Sequence, residues 1–233
     1  MSAHVPADLT RTTVCRMRNF IVTDEVRDYA ADHSSWPPED VVHRLRARTQ
    51  ALGEVAGMQI GDDQGQLLTM MARLVGARRA VEVGTFTGYS ALCIARGLAP
   101  GGSLLCADVS AEWTDIGVGA WQEAGLADRI ELRIAPALET LRALPHEAVV
   151  DLVFIDADKT GYAGYWDELV PRVRPGGVLL VDNVLWSGRV VDQGDTDDDT
   201  AALRAFNDAV AADDRVEVVV LTAFDGLTIA RKV

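Results

Sequence analysis

The chain has 233 residues, with 22 lysine and arginine residues against 35 aspartate and glutamate residues, so its formal net charge is −13. This length is typical of one domain that buries a large core without disulfides or structural metals. An acidic chain lacks the positive surface that nucleic acids and anionic membranes require, so neither is expected as a partner.

The three cysteines, Cys15, Cys93 and Cys106, are an odd number without C-x-x-C spacing. This pattern indicates neither a disulfide framework nor a zinc site, and it favours a reducing compartment. The first ten residues contain no basic flank followed by a long apolar run, and no apolar stretch approaches the ~18 residues of a membrane span. The sequence therefore predicts a soluble, cytoplasmic protein.

From residue 79 onward, short apolar runs alternate with helical patterns. The runs predict strands at 80–83, 103–107, 130–134, 149–155, 177–181 and 216–221, and the patterns between them predict helices at 88–98, 111–125, 159–172 and 198–213. Because the runs show no polar alternation, they are typical of strands buried on both faces of a parallel sheet. Residues 227–231 follow a short turn and predict an antiparallel strand. The expected fold is α/β, a doubly wound, Rossmann-like sheet of seven strands with helices on both faces.

The region before the first strand is expected to be helical. Residues 1–57 are interpreted as a helical cap that belongs to the same domain as the core of residues 58–233. Pro37-Pro38, followed by two acidic residues, predicts a helix start. The acidic run 195–199 is interpreted as an exposed loop that caps the last helix, in preference to a metal site.

The first predicted strand leads into AVEVGTFTGYS, which contains Glu82, Gly84 and Ser90. A strand that turns into a helix here presents backbone N–H groups at the helix N-terminus, where anions bind. Gly84 allows the backbone to approach a ligand closely because it has no Cβ. The dinucleotide fingerprint G-x-G-x-x-G would need glycine in place of Phe86, which disfavours a pyrophosphate ligand and a nicotinamide dehydrogenase.

Asp108 lies 20 residues beyond Gly88, at the end of the second predicted strand. Doubly wound folds place a carboxylate there on ribose hydroxyls. A ribose without a pyrophosphate indicates S-adenosylmethionine, whose ammonium end Glu82 is expected to attract, while Ser90 and the helix N-terminus receive its carboxylate. The alternative is that the glycines only form a tight strand–helix turn.

Two neighbouring predicted strands end in polar residues. FIDADK ends the fourth strand with Asp156 and Lys159, and VDN ends the fifth with Asp182 and Asn183. Because the carboxyl ends of parallel strands meet at one edge of a sheet, these oxygens predict a site for one hard divalent cation, Mg²⁺ first, with Mn²⁺ or Ca²⁺ as alternatives. No histidine lies near them in the sequence, which disfavours zinc and a Ser-His-Asp triad. The alternative is that these carboxylates cap helices.

In this order and spacing, EVGTFTGYS, FIDADK, VDN followed by LW, and the terminal DGLTIARK resemble the cation-dependent, S-adenosylmethionine-dependent O-methyltransferases of the caffeoyl-CoA and catechol type. The likeness runs from about Met58 to the C-terminus. It implies methyl transfer to a hydroxyl of a small aromatic diol, that is, a vicinal dihydroxy aromatic compound. It also implies a homodimer, the common form in this family.

The resemblance implies roles for individual residues. The expected cofactor contacts are Glu82, Gly84, Ser90, Asp108, Val109, Ala137 and Asp156, and the expected metal ligands are Asp156, Asp182 and Asn183. Lys159 is the expected general base, acting beside Asp156, and Met58, Lys159 and Trp186 are the expected acceptor contacts. The alternatives are a surface helix start for Lys159 and a core position for Trp186. The chain departs from the family pattern at Ile60 and Ala135, which puts one cofactor contact and the adenine loop in question.

In the expected reaction, both hydroxyls of the diol chelate the cation. A free phenol has a pKa of about 10, and lowering it to about 7 takes roughly 4 kcal/mol, which a divalent cation in a cleft can supply. Two other functions remain open. The motif D-x-D-x-T at 156–160 fits a metal-dependent phosphatase of the haloacid dehalogenase type, and a non-catalytic S-adenosylmethionine-binding protein would need no metal. The acidic surface disfavours a CoA-linked acceptor.

Overall fold

The structure is a computed structural model that describes residues 22–35 and 40–233. The chain divides into two compact units, residues 1–35 and 36–233. In the first unit, helix α1 spans Asp24–Asp32. The helix start predicted at Pro37-Pro38 lies outside the described residues, as does Cys15. The interpretation of residues 1–57 as one cap stays a prediction.

The second unit alternates helices and strands. Its helices are α2 (Asp40–Gln50), α3 (Asp62–Leu74), α4 (Tyr89–Gly97), α5 (Ala111–Glu123), α6 (Ala137–Arg142), α7 (Tyr162–Leu169) and α8 (Asp198–Ala211). Its strands are β1 (Arg79–Val83), β2 (Ser103–Asp108), β3 (Ile130–Ile134), β4 (Val150–Ile155), β5 (Val173–Val181), β6 (Val216–Leu221) and β7 (Leu227–Lys232). Turns of 3₁₀ helix occur at Gly53–Met58, Ala127–Arg129, Lys159–Gly161, Val170–Arg172 and Trp186–Val191.

The strands form one seven-stranded sheet in the order β3-β2-β1-β4-β5-β7-β6. Strand β7 pairs antiparallel with β5 and β6, and the other pairs are parallel. Val83 at the end of β1 lies opposite both Ala107 of β2 and Ile155 of β4. The strand order reverses between β1 and β4, where doubly wound folds bind ligands beyond the carboxyl ends of the strands. The predicted fold class is confirmed.

Helices cover both faces of this sheet. Strand β4 is buried along its whole length. Leu152 and Phe154 face the layer that contains α2 to α5, whereas Val153 and Ile155 face the layer that contains α6 to α8. A strand enclosed in this way needs apolar side chains at successive positions, which explains why continuous apolar runs predicted the strands.

The elements differ from the predicted ones in three places. Helix α6 was not predicted, because six residues give too little periodicity to detect. The helix predicted at 159–172 is regular only over Tyr162–Leu169, and its end tightens into a 3₁₀ turn that contains Pro171. Strand β5 begins at Val173, four residues before the predicted start at 177, and its pairing with β4 is irregular between Val150 and Leu152.

Three smaller features concern earlier expectations. Cys93 and Cys106 are buried, free thiols. Asp197 caps α8 by accepting the N–H of Asp199 at 3.1 Å, which confirms the interpretation of the acidic run. Among the residues that the structure describes, no helix has the length and apolar character needed to cross a bilayer.

Candidate active site

A cleft of about 760 Å³ opens at the carboxyl ends of β1, β2, β4 and β5. Its volume is in the range of small-molecule sites. The structure brings eleven of the twelve predicted site residues to its lining. They are Met58, Gly84, Ser90, Asp108, Val109, Ala137, Asp156, Lys159, Asp182, Asn183 and Trp186. The cofactor, metal and acceptor predictions therefore all fall in one cavity.

The glycine turn that joins β1 to α4 forms one side of the cleft. Gly84 has φ +86°, and a Cβ at this position would overlap the carbonyl oxygen of Asp156. Glycine is therefore required by the end of β4, in addition to the close approach of a ligand that the sequence suggested. Gly88 has φ +78°, and its Cβ would meet the ring of Trp121. Neighbouring protein atoms therefore leave no room for a side chain at either position.

Asp108 ties this turn to the end of β2. Its Oδ2 accepts the backbone N–H groups of Thr85 at 2.7 Å and Phe86 at 2.9 Å, and its Oδ1 accepts the N–H of Ser110 at 2.8 Å. Asp108 therefore binds two N–H groups of the turn itself, which precede the helix N-terminus at Tyr89. Because a carboxylate has about four acceptor positions, Asp108 retains capacity for a ribose hydroxyl.

Glu82 is the predicted site residue that does not line the cleft. Its side chain is fully buried beneath the turn, where Cys106 Sγ lies 3.3 Å from Oε2 and Oε1 has no hydrogen-bond partner. Burial raises the pKa of Glu82 to about 7, although contacts with Ser90 and Cys106 oppose the increase. The structure places Glu82 below the glycine turn, and its contact with an ammonium group stays a prediction.

Two further side chains that the sequence did not single out hold the glycine turn. The buried Thr49 hydroxyl of α2 donates to Thr87 Oγ1 at 2.8 Å, and Trp121 Nε1 of α5 donates to the carbonyl of Gly88 at 2.9 Å. Thr87 itself lines the cleft. These contacts join residues more than 30 positions apart, so no local pattern could have indicated them.

The two departures from the family pattern, Ile60 and Ala135, differ in their positions. Ile60 is 8% exposed and lines the cleft, where it supplies no polar group. Ala135 donates its N–H to the carbonyl of Asp108 at 2.9 Å. The backbone at Ala135 therefore remains tied to the end of β2.

Asp156, Asp182 and Asn183 line the other side of the cleft, just beyond the ends of β4 and β5. Asp182 is 3% exposed, and its Oδ1 has no hydrogen-bond partner. Burial raises the pKa of Asp156 although Lys159 opposes the increase, and burial together with the charge of Asp156 raises the pKa of Asp182 to about 6. The charged forms of both carboxylates are thus disfavoured, and a cation between them would reverse this effect.

This donor set fits a hard divalent cation. Two carboxylates and one amide supply oxygen ligands, and the unpartnered oxygen of Asp182 needs a positive or hydrogen-bonding partner. Within the described ranges, no three His, Cys, Asp or Glu side chains are grouped as metal ligands. The set here does not form such a group because its third member is an asparagine.

Lys159 is buried, which excludes its alternative as a surface helix start. Its ammonium group donates to Asn183 Oδ1 at 2.7 Å and to Asp156 Oδ1 at 3.3 Å. It also donates to the hydroxyl of Tyr162 at 2.7 Å, and that hydroxyl donates to the carbonyl of Asp182 at 3.0 Å. The sequence analysis missed Tyr162, although its position one helical turn after Lys159 could have indicated it.

The outer part of the cleft is bordered by the large side chains of Met58, Trp186 and Phe224. Phe86, Asn183, Trp186 and Phe224 all have left-handed backbone conformations, with φ between 49° and 59°. Such conformations cost energy in residues other than glycine and cluster at functional sites. Their concentration around this cleft supports its assignment as the active site.

The family model described as O-methyltransferase matches residues 31–233. The chain belongs to the O-methyltransferase family. This O-methyltransferase is 34% identical to caffeoyl-CoA O-methyltransferase 2 of Zea mays, in an alignment that covers 96% of this chain and 89% of the maize protein.

Two solved structures are similar over most of their length. The O-methyltransferase from Bacillus cereus in complex with SAH has a TM-score of 0.82 and 30% identity, and the match covers 90% of this chain and 97% of that one. TomG from Streptomyces achromogenes, an O-methyltransferase involved in tomaymycin synthesis and solved with SAM, has a TM-score of 0.80 and 28% identity, with 91% and 99% covered. Family membership removes the support for the phosphatase alternative, whose motif belongs on a first strand, whereas Asp156 follows β4.

Proposed function

We propose that this O-methyltransferase moves the methyl group of S-adenosylmethionine to one hydroxyl of a small vicinal dihydroxy aromatic compound with the help of a divalent cation. Mg²⁺ is the first candidate for this cation. The observation that carries the proposal is that Asp156, Asp182 and Asn183 line the same cleft as the glycine turn, where the Lys159 ammonium group donates to Asp156 and Asn183. The SAH and SAM complexes of the two similar structures support the choice of cofactor.

The cofactor would occupy the β1 and β2 side of the cleft. Asp108, at the end of β2, would accept the ribose hydroxyls. Ser90 and the first turn of α4, whose N–H groups lack intrahelical partners, would bind the carboxylate of the methionine end. Val109, which is 72% exposed, and Ala137, which begins α6, would border the adenine.

The acceptor would occupy the β4 and β5 side. Asp156, Asp182 and Asn183 would hold the cation, which supplies positive charge that favours the phenolate form of a bound diol. Lys159, as the neutral amine that remains after its ammonium group has released a proton to solvent, would accept the proton of the reacting hydroxyl. Its Nζ is within hydrogen-bond distance of Asp156 Oδ1 and Asn183 Oδ1. Tyr162 would keep Lys159 in place, because its hydroxyl bridges Nζ and the backbone carbonyl of Asp182, just beyond β5.

The transfer is a displacement at the methyl carbon. The phenolate oxygen forms a bond to that carbon while the carbon–sulfur bond breaks, and the electron pair of the broken bond stays on sulfur to give S-adenosylhomocysteine. The proton of the hydroxyl goes to the neutral amine of Lys159, and the ammonium group formed in this way releases it to solvent before the next turnover. The cleft contributes by holding the two reactants in line, an effect that is large in enzymes.

The test is product formation from a panel of catechols with S-adenosylmethionine and Mg²⁺, with and without EDTA, measured by mass spectrometry. We expect methylated product that falls at least about 100-fold with chelator and returns when Mg²⁺ is restored. Asp156→Asn and Asp182→Asn should each remove most activity, whereas the exposed Asp214→Asn serves as the matched control. Equal product with chelator would contradict the metal role, and cofactor binding without any product would favour the non-catalytic alternative.

The homodimer and the cytoplasmic location that the sequence suggested stay predictions. Sedimentation velocity of the purified protein tests the first, and fractionation of the source cells tests the second.

A further inference from the structure

Among the residues that the structure describes, the charged side chains that line the cleft are six aspartates and one lysine. Three of the aspartates, Asp108, Asp156 and Asp182, already have places in the cofactor and cation sites. The other three are Asp158, Asp199 and Asp225, and we call them the acidic rim. Among the described residues that line the cleft, Lys159 is the one cation, and it lies at the base of the cleft among the proposed metal ligands.

The hydrogen-bond donors to Asp158 and Asp225 of the acidic rim carry no positive charge. Asp158 accepts the hydroxyl of Tyr165 at 2.5 Å, and Asp225 accepts the backbone N–H of Ser187 at 2.5 Å. Both donors are uncharged, so neither brings a positive charge to these carboxylates. The N–H of Ser187 directly follows Trp186, which places Asp225 beside the acceptor end of the cleft.

A basic side chain does lie near this end, but aspartates already bind it. The guanidinium of Arg189 lies 6.0 Å from the centre of the Trp186 ring. Arg189 Nε contacts Asp195 at 2.6 Å, and its NH2 group lies 3.6 Å from Asp197. Arg189 therefore shares its charge with two carboxylates and brings no net positive charge to the rim.

An acceptor with a negative tail would be placed among like charges in a partly sheltered cleft, which lowers its affinity and its rate of entry. The phosphates of a CoA thioester are normally bound by arginine or lysine, and the lining that the structure describes offers only Lys159, at the base of the cleft. We propose that the acceptor is a catechol whose remaining substituent is uncharged or cationic, and that Asp158, Asp199 and Asp225 select against CoA thioesters and other anionic acceptors. This inference rests on the proposed function and names the substrate class of the same site.

The experiment compares kcat/KM for three 3,4-dihydroxyphenyl acceptors that differ only in their tail, which is ethylamine, ethanol or acetate, together with caffeoyl-CoA. We expect the order ethylamine, ethanol, acetate, with at least about a tenfold difference between the first and the last at low ionic strength. Because salt screens such interactions, the difference should shrink severalfold at about 0.5 M NaCl. Caffeoyl-CoA should be the poorest acceptor.

Substitutions in the acidic rim test whether these aspartates cause the preference among acceptors. The double variant Asp199→Asn, Asp225→Asn should lower the ethylamine-to-acetate ratio of kcat/KM by about fivefold or more. The matched control, Asp128→Asn with Asp214→Asn, removes two exposed carboxylates outside the cleft and should leave the ratio within about twofold of wild type. A ratio of two acceptors cancels any loss that is common to both, such as partial unfolding.

Each result decides between the hypotheses. Equal or higher kcat/KM for the acetate acceptor, or preferred methylation of caffeoyl-CoA, would overturn this inference and leave the proposed function intact. Absence of methylation with every catechol would overturn both. If the double variant does not fold, as judged by circular dichroism, the order of acceptors and its salt dependence in the wild-type enzyme decide.

Discussion

Glu82→Gln tests how far the buried carboxyl group beneath the glycine turn lowers the free energy of unfolding. Burial raises the pKa of Glu82 from an ordinary value of 4.5 to about 7 in the folded chain. Between these two pH values the folded protein keeps a proton that the unfolded chain has released, so the free energy of unfolding falls as pH rises. Above pH 7 the side chain is charged in both states. The full cost, at about 1.4 kcal/mol per pH unit, is then roughly 3 kcal/mol.

Urea unfolding of the cofactor-free protein in EDTA, followed by circular dichroism from pH 5 to pH 8, measures this cost. Because glutamine does not titrate, the stability of Glu82→Gln relative to wild type should rise by about 2–3 kcal/mol over this range. Asp156 and Asp182 titrate in both proteins and cancel in the difference. Glu147→Gln removes an exposed carboxyl and serves as the control. A difference that stays constant within about 0.5 kcal/mol would refute the reasoning, because it would mean that Glu82 ionises without penalty.

Three other substitutions separate the roles of single contacts. Tyr162→Phe removes the hydroxyl that holds Lys159, so kcat should fall about tenfold. The Kd for S-adenosylmethionine, measured by calorimetry, should change less than twofold. An unchanged kcat would exclude this positioning role. Thr49→Val removes the donor to Thr87 and should weaken S-adenosylmethionine binding about three- to tenfold, with Thr49→Ser restoring it. If both variants bind alike, the hydroxyl is irrelevant to the turn. At the amino end of β4, Asp151 accepts hydrogen bonds from two backbone N–H groups and forms an ion pair with an arginine. Burial alone would raise the pKa of Asp151, but these bonds lower it. Asp151→Asn should therefore lower the free energy of unfolding by about 2 kcal/mol at pH 7, measured by urea unfolding, without changing kcat. That difference should disappear as pH falls below the ordinary value of 3.8, and a pH-independent difference would contradict it.

The sheet and most of the site could be predicted because both leave a signal along the chain. Strand β4 is buried on both faces, so its residues form a continuous apolar run that ends at Asp156. The parallel register then brings the ends of β1, β2, β4 and β5 level. Residues that directly follow these strands, such as Asp182, must converge at one edge. Predicting the strands was therefore nearly sufficient to predict the site.

The remaining features depend on contacts between distant elements. Thr49 reaches Thr87 only because α2 packs near α4 and α5, which no pattern in residues 40–50 shows. The placement of Glu82 could have been anticipated from strand alternation, because Val81 and Val83 face the layer of α6 to α8 and their neighbour must point to the other side. The sequence analysis instead assigned Glu82 by its closeness to the glycines.

The contact between Gly84 and the carbonyl of Asp156 joins the two halves of the cleft through main-chain atoms. In the proposed reaction, the distance from sulfonium to nucleophilic oxygen would then depend on how these two adjacent strands lie side by side. Met58, Trp186 and Phe224 lie outside this junction. Exchanging them can change which ring enters while the spacing needed for transfer is preserved, so one rigid frame can serve chemically different acceptors.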